Sequence, residues 1–408
     1  MAPWLFLLVA LVGAGFTASA LLRVRRAWYL TFPYFMGAWL TGELALHHIA
    51  WQAVATLVFA AFGALEAWPG LLGLAVTFGS WAGLLYAHGH ALRAHQVTRD
   101  TLAEHDLLPE GVVELRRLAN PFRMRHPGVE RIRNLPYGES LEGDKGRRNL
   151  LDVTRPREPG KNRPVLLQIH GGGWVFGDKE TQAQPLMHHL AARGWVCFAA
   201  NYRLSPKATF PDHIVDVKRA IAWIREHGEE FGADPNFICI TGGSAGGHLA
   251  ALAALSPNDP AYQPGFENAD TRLAGCVPFY GVYDFLDRQG IRKGAEMRPF
   301  LEGRVFKVSP EANRELWENA SPITRVSAEA PPFLVIHGTH DSLVFVEEAR
   351  HFVSSLREKS NNPVVYLELP GAQHAFDTFH SVRASHAVHA VTSFLEQTRA
   401  EFVERTSG

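Results

Sequence analysis

The pattern of apolar and polar positions divides the chain near residue 95. Upstream, residues 4–22 form an uninterrupted apolar run without charge. About 20 helical residues span a bilayer core. A second such run covers about 45–65 and a third about 71–88. The stretch 30–40, broken by Pro33, is shorter; it reads as a re-entrant or interfacial segment, or as a fourth span. Trp and Tyr recur near the run ends, as interface anchors do. Gly79 and Gly83 provide the small-xxx-small spacing of closely packed membrane helices. Downstream the period changes. Strand-length apolar runs at 165–169, 194–202, 236–240, 273–280, 332–337 and 363–369 alternate with glycine turns and amphipathic helical stretches such as 210–224. That alternation predicts a mostly parallel sheet with helices on both faces.

Two stretches fit neither pattern. Residues 97–130 are charged, with a short helix expected around 112–118, and read as a linker or a lid-like segment. Between 283 and 320 the strands stop, and Phe285, Phe300, Phe306 and Trp317 are mixed with Arg and Lys. This reads as an insertion capping the sheet, or as a surface excursion with its own small core. The expected organisation is a transmembrane helical region at 1–95, a linker or lid-like segment at 96–146, and the α/β unit at 147–408.

Charge and cysteine content narrow the classes. With 40 basic and 41 acidic residues, nothing points to a nucleic-acid partner. Cys197, Cys239 and Cys276 each lie in an apolar strand run, so they read as core residues rather than a disulfide framework. Ala18-Ser19-Ala20 resembles a signal-peptide cleavage site, but there is no basic segment before the apolar run and further runs follow. Arg23, Arg25 and Arg26, with a second group (Arg93, Arg99, Arg116, Arg117, Arg123, Arg125), favour the cytoplasmic side. Three spans would then leave the N-terminus outside and the α/β unit in the cytoplasm; four would reverse the latter. His47-His48 and His88-x-His90 lie near run ends without a carboxylate or cysteine cluster beside them, so no metal site is expected.

The chemistry is carried by two short motifs. Gly242-Gly243-Ser244-Ala245-Gly246 fits G-x-S-x-G, in which a serine sits on a sharp strand-to-helix turn. An apolar strand run precedes it and an alanine-rich helical run, 248–255, follows. Upstream, His170-Gly171-Gly172-Gly173 follows its own strand, where a second set of oxyanion donors is required. A serine hydroxyl needs a general base, and that base an orienting carboxylate. Asp341, in the loop after 332–337, and His374, in the glycine-preceded loop after 363–369, leave the same sheet edge as Ser244. Asp377 and Asp284 are rival acids. His337 belongs to a strand end, His340 neighbours the acid, and His380, His386 and His389 are expected on a solvated last helix. The oxyanion is expected to meet the backbone N–H groups of Gly171, Gly172 and Ala245, with His170 holding the glycine loop.

These motifs, with Asn201-Tyr202-Arg203-Leu204-Ser205-Pro206, resemble the hormone-sensitive-lipase-like esterases of the α/β-hydrolase fold. The similarity covers about 145–400 and is greatest to bacterial carboxylesterases and lipases with an apolar N-terminal region. Two departures loosen the inference about substrate. Gly243 stands where much of the group has an acidic residue, and the acid loop reads His-Gly-Thr-His-Asp, as in many peptidase-like and small-ester hydrolases. The resemblance implies a serine carboxylesterase or lipase working through Ser244, His374 and Asp341 without metal or organic cofactor. Its expected substrates are uncharged small or lipid-derived esters. An amidase, peptidase or methylesterase on the same fold is the nearest alternative, and a non-catalytic membrane scaffold a more distant one.

Overall fold

The structure is a computed structural model that describes every residue except 24–27, 110, 140–147, 294–296 and 408, and the side chains of 28–31. Arg25 and Arg26, invoked above for orientation, therefore lie outside the described residues, as do parts of the 96–146 and 283–320 segments.

Among the described residues the apolar region forms four α-helices: α1 (Ala2–Leu21), α2 (Trp28–Glu43), α3 (Ala45–Ala61) and α4 (Trp68–Ala103). Helices α1 and α4 are long and apolar enough to cross a membrane; α3 is shorter and meets Phe32–Glu43 of α2 at 92°. Side-chain pairings give their directions. Trp4 meets Trp68, and Gly83 lies against Thr17 and Leu21, so α1 and α4 run parallel. Phe6 stacks on Phe59 and Phe16 faces His48, so α3 runs back between them. The bundle hides small polar groups and displays large apolar ones. Thr17 and Ser80 hydrogen bond at 2.7 Å inside it, while Leu8, Val54, Leu57, Leu71 and Phe78 are exposed. This inversion of a water-soluble pattern is what packing in lipid rewards, because lipid solvates Leu and Phe but not hydroxyls.

Helix α4 does not stop at the compositional boundary. It passes residue 95, and its last turns enter the other unit: Ala94 and Leu102 are fully buried in an apolar cluster with Phe394 and Leu367. Residue 95 thus lies mid-helix, because transfer energetics change along α4 while its hydrogen bonding does not.

After a single-turn helix α5 (Leu115–Ala119), eight strands form one sheet: β1 (Val129–Pro136), β2 (Leu150–Pro156), β3 (Arg163–Ile169), β4 (Val196–Ala200), β5 (Ala233–Gly243), β6 (Gly275–Phe279), β7 (Phe333–Gly338) and β8 (Val364–Leu369). Their order is β1-β2-β4-β3-β5-β6-β7-β8. Strands β1, β2 and β4 pair antiparallel, and all other pairs are parallel. The sheet therefore begins before residue 147, inside the segment read as a linker. Strand β1 was hard to see because its charged positions (Glu130, Arg131, Arg133) suit an edge, where one side stays wet.

The connecting helices are α6 (Gln184–Ala192), α7 (Asp212–His227), α8 (Ala245–Ala254), the single turn α9 (Arg298–Phe300), α10 (Arg314–Ala320), α11 (Val346–Lys359) and α12 (Val382–Ser407). Helices α7, α8 and α11 pack on one face of the sheet. On the other lie α6, α12 and the end of α4. The expectation of a solvated last helix fails here. His386 and His389 on α12 are buried, and His95 of α4 lies 5.2 Å from His386, so α4 covers the face that would otherwise be wet. His380 precedes the helix. In the 283–320 stretch, Phe285, Phe306 and Trp317 are buried together in the main core, and only Phe300 of the four aromatics remains exposed.

Candidate active site

Ser244 follows the last residue of β5 and caps α8 with φ +58° and ψ −121°. A non-glycine residue held there carries about 1–3 kcal/mol of strain, which surrounding structure must sustain. The sequence supports it with glycine. A Cβ on Gly246 would lie 2.1 Å from the Ile169 carbonyl oxygen and 2.7 Å from that of His170, so the turn can press against the end of β3 only without a side chain. The Ser244 N–H donates to Phe279 O at 3.0 Å, fastening the turn to β6. The hydroxyl-bearing residue is left partly exposed on a buried base.

The glycine loop after β3 lies directly beside this turn. A Cβ on Gly171 would stand 3.1 Å from that of Ser244 and 2.6 Å from Gly243 O. Gly172 has φ +117°, closed to side chains in practice. His170 behaves as the loop's support: it stacks on Tyr202 at 4.4 Å, and its Nδ1 lies 2.8 Å from Gly171 O. Burial lowers its pKa to about 4, so the ring is neutral. The 201–206 stretch completes the cradle. Tyr202 donates to His170 O, the Ser205 N–H to Trp174 O, and Asn201 Oδ1 accepts from the Lys179 amide. Trp174 is locked in turn by donating to His248 Nδ1 at 3.2 Å.

One expected donor is otherwise engaged. The Gly171 N–H donates to Gln182 Oε1 at 2.6 Å, so in this structure a side-chain amide holds the group assigned to the oxyanion. The Ala245 N–H belongs to the first turn of α8, where amides have no partner within the helix. No sequence signal marked Gln182; its distance from the motif is filled by an irregular loop.

Asp341 and His374 meet as the loop positions suggest. His374 Nδ1 lies 2.7 Å from Asp341 Oδ2, and both are buried. Asp341 Oδ1 accepts the backbone amides of Leu343 and Val344, each at 2.9 Å. A second histidine, His337, places Nε2 3.3 Å from Oδ2 while bonding Val344 O at 2.9 Å. Burial alone would raise the Asp341 pKa, but the charge of His374 and the hydrogen bonds from His337 and His374 outweigh it and hold the carboxyl well below its ordinary value. The rivals are occupied elsewhere. Asp284 pairs with Arg288 at 2.6 Å, and Asp377 accepts from the Tyr280 hydroxyl.

Tyr280 joins the two halves of the site. Its ring lies 4.5 Å from that of His374, and its hydroxyl would stand 2.8 Å from a Cβ on Gly243, the residue before the serine. That contact accounts for Gly243: the space a side chain would need belongs to a tyrosine. Around the glycine loop Phe176 and Phe300 remain exposed, the latter 3.5 Å from where a Cβ of Gly173 would be. Among the described residues, no group of three or more histidine, cysteine or carboxylate side chains could hold a metal ion.

A strained serine between strand and helix, a glycine loop against it, and a buried carboxylate–imidazole pair on later loops are the arrangement of the α/β-hydrolase fold. The chain belongs to the BD-FAE family, whose sequence profile matches residues 151–356. It is 55% identical over 265 residues to the probable carboxylic ester hydrolase LipM of Mycobacterium tuberculosis, covering 64% of this chain and 61% of that protein. It is 44% identical over 286 residues to esterase LipC of the same organism, covering 69% of each. The first of these matches thus spans less than two thirds of its relative. Among solved structures, a thermophilic esterase from Thermogutta terrifontis with bound butyrate superposes with a TM-score of 0.52 at 28% identity, covering 70% of this chain and 95% of that one.

Proposed function

We propose that the protein is a membrane-seated serine carboxylesterase, and the observation that carries this is the 2.7 Å pair of His374 and Asp341, linked through the Tyr280 ring to the strained turn that bears Ser244. Ser244 Oγ attacks the ester carbonyl carbon while His374 Nε2 takes the hydroxyl proton. Asp341, held ionised, keeps the Nδ1 proton in place and stabilises the imidazolium. The carbonyl oxygen, now negative, is met by the amides of Gly172 and Ala245, joined by Gly171 once the substrate displaces Gln182. Each such donor contributes about 2.7–4 kcal/mol to the transition state. The intermediate collapses with the C–O bond to the alcohol breaking, and His374 returns its proton to the leaving oxygen. Water, deprotonated by the same imidazole, then releases the acid and restores the serine.

The seating follows from α1, α3 and α4 as three crossings of alternating direction. The hydrolase then lies on the side that receives Arg23, Arg93 and Arg99, which the excess of basic residues makes the cytoplasmic side. A fluorophosphonate probe should label the wild-type chain and not Ser244→Ala; equal labelling overturns the nucleophile. Hydrolysis of p-nitrophenyl esters with little action on the matching anilides supports esterase chemistry, and the reverse preference overturns it. Protease access in sealed vesicles reads the sidedness.

A further inference from the structure

The ends of the apolar helices meet the hydrolase at the rim that carries the candidate triad. The His340 ring, next to Asp341, lies near the Ala20 backbone at the end of α1. Arg23 pairs with Glu347 at 3.1 Å. Glu43, at the end of α2, forms a buried pair with Arg383 at 2.9 Å, and Arg383 also holds Pro370 O, at the root of the histidine loop.

Helix α2 goes further and touches the site itself. The Phe35 ring stands edge-on to the His374 imidazole, 6.0 Å between centroids at 79°. Trp39, stacked on Phe35 at 5.7 Å, donates its indole N–H to Ala375 O at 2.9 Å. Ala375 is the residue after the histidine and has φ +59°, a conformation that needs such support. Phe32, 5.9 Å from Phe35, is half exposed. A continuous aromatic path thus leads from the outer surface of α2 to the imidazole. Its outer end lies on the same helical region as the exposed apolar belt of α1, α3 and α4. A helix serving only as an anchor has no need to reach the base.

Resting on the esterase reading above, we propose that α2 roofs the catalytic site and that the enzyme takes its substrate sideways from the bilayer: an uncharged ester with long acyl chains, such as a diacylglycerol. The chains stay among apolar groups while the carbonyl slides past Phe32 and Phe35 to Ser244, so the substrate is never transferred to water. Leaving the bilayer would cost about 0.8 kcal/mol for each methylene exposed.

The full-length chain in dioleoylphosphatidylcholine vesicles tests this, with protein counted by fluorophosphonate labelling of Ser244. The readout is the rate on 1,2-dioleoylglycerol in the vesicles divided by the rate on p-nitrophenyl acetate in the water. Phe32→Glu should lower that ratio at least tenfold, because it places a charge on the path. Leu57→Glu puts the same charge on the exposed surface of α3, away from the site, and should leave the ratio within twofold of wild type. Met36→Glu, one turn along α2, serves if Phe32→Glu does not fold. An unchanged ratio in the α2 variants, an equal fall in Leu57→Glu, or a wild-type enzyme inactive on the diacylglycerol would overturn the roof. Absence of labelling in the wild type would overturn the esterase reading instead.

Discussion

Replacing Asp341 by Asn tests the proposed base directly, and the structure sets the size of the effect. The carboxylate has two distinct sides. Oδ1 is held by the amides of Leu343 and Val344, and Oδ2 faces His374 Nδ1 at 2.7 Å. In Asp341→Asn the carbonyl must stay on the first side, since turning the amide would set its NH₂ against two N–H donors. The NH₂ therefore faces His374. Nδ1 must then accept, the ring proton moves to Nε2, and the lone pair that should take the Ser244 proton is gone. Such a tautomer change costs about 10⁴ in kcat, or roughly 5.5 kcal/mol at 1.36 kcal/mol per decade. Because both backbone amides keep their acceptor, the variant should fold and its KM should change little. Steady-state hydrolysis of p-nitrophenyl butyrate, with circular dichroism as the folding control, measures this. A variant retaining more than a tenth of wild-type kcat would refute the assignment, and so would a comparable loss in Asp377→Asn with Asp341→Asn unaffected.

The remaining predictions concern the support around the pair. Gly246→Ala places a methyl 2.1 Å from a backbone carbonyl and should abolish labelling of Ser244 or prevent folding; a fully active variant would show that the turn is not as tight as described. Gln182→Ala frees the Gly171 amide from a neutral hydrogen bond that contributes about 1 kcal/mol, so KM for a short ester should fall about fivefold; a rise would mean Gln182 positions the loop rather than competing with substrate. Glu43→Gln leaves Arg383 buried without its counter-charge and should cost about 3–5 kcal/mol, whereas Glu43→Leu with Arg383→Met should be near neutral. Unfolding in nanodiscs, followed by tryptophan fluorescence, separates the two. The depressed Asp341 pKa means its contribution to stability is fully present above the ordinary value of 3.8 and is lost as pH falls through the lower folded value. Wild type should therefore lose more stability than Asp341→Asn on acidification below about pH 4, and parallel curves would contradict the ion pair.

Much of the site was legible because its chemistry is local in sequence. The serine turn and the glycine loop need small residues at fixed spacings, and Asp341 and His374 follow strands whose apolar runs are unmistakable. What escaped is what depends on contacts between distant segments. His337 reads as a strand residue, yet the bend after β7 returns it to the carboxylate four positions on. Gln182 lies in a loop with no period, so its reach to Gly171 had no signature. The burial of His386 and His389 has no local signature for a related reason: the polarity of α12 suits water, whereas α4 covers it. Strand β1 was obscured by the charges that protect an edge.

Helix α4 explains why the two halves of the molecule have one geometry. A flexible linker would let the α/β unit turn its candidate-site rim in any direction relative to the apolar bundle. Instead a single helix of 36 residues, about 54 Å at 1.5 Å per residue, lies against α1 at one end and inside the core beside β8 and α12 at the other. Its hydrogen bonds run unbroken, so rotating one unit against the other would require breaking either the core or the bundle. The buried Glu43–Arg383 pair adds a second attachment on the rim itself. Two attachments fix an orientation that one would leave free. This is why Phe35 can serve as a wall for His374: its position is set by the fold of both units together. A chain cut at the compositional boundary near residue 95 would lose that wall, Ala94 and the unbroken helix that holds Val97 and Leu102 against the core. It should therefore fold poorly as well as act slowly, while a cut within α1 alone should spare the core and disturb only the bundle.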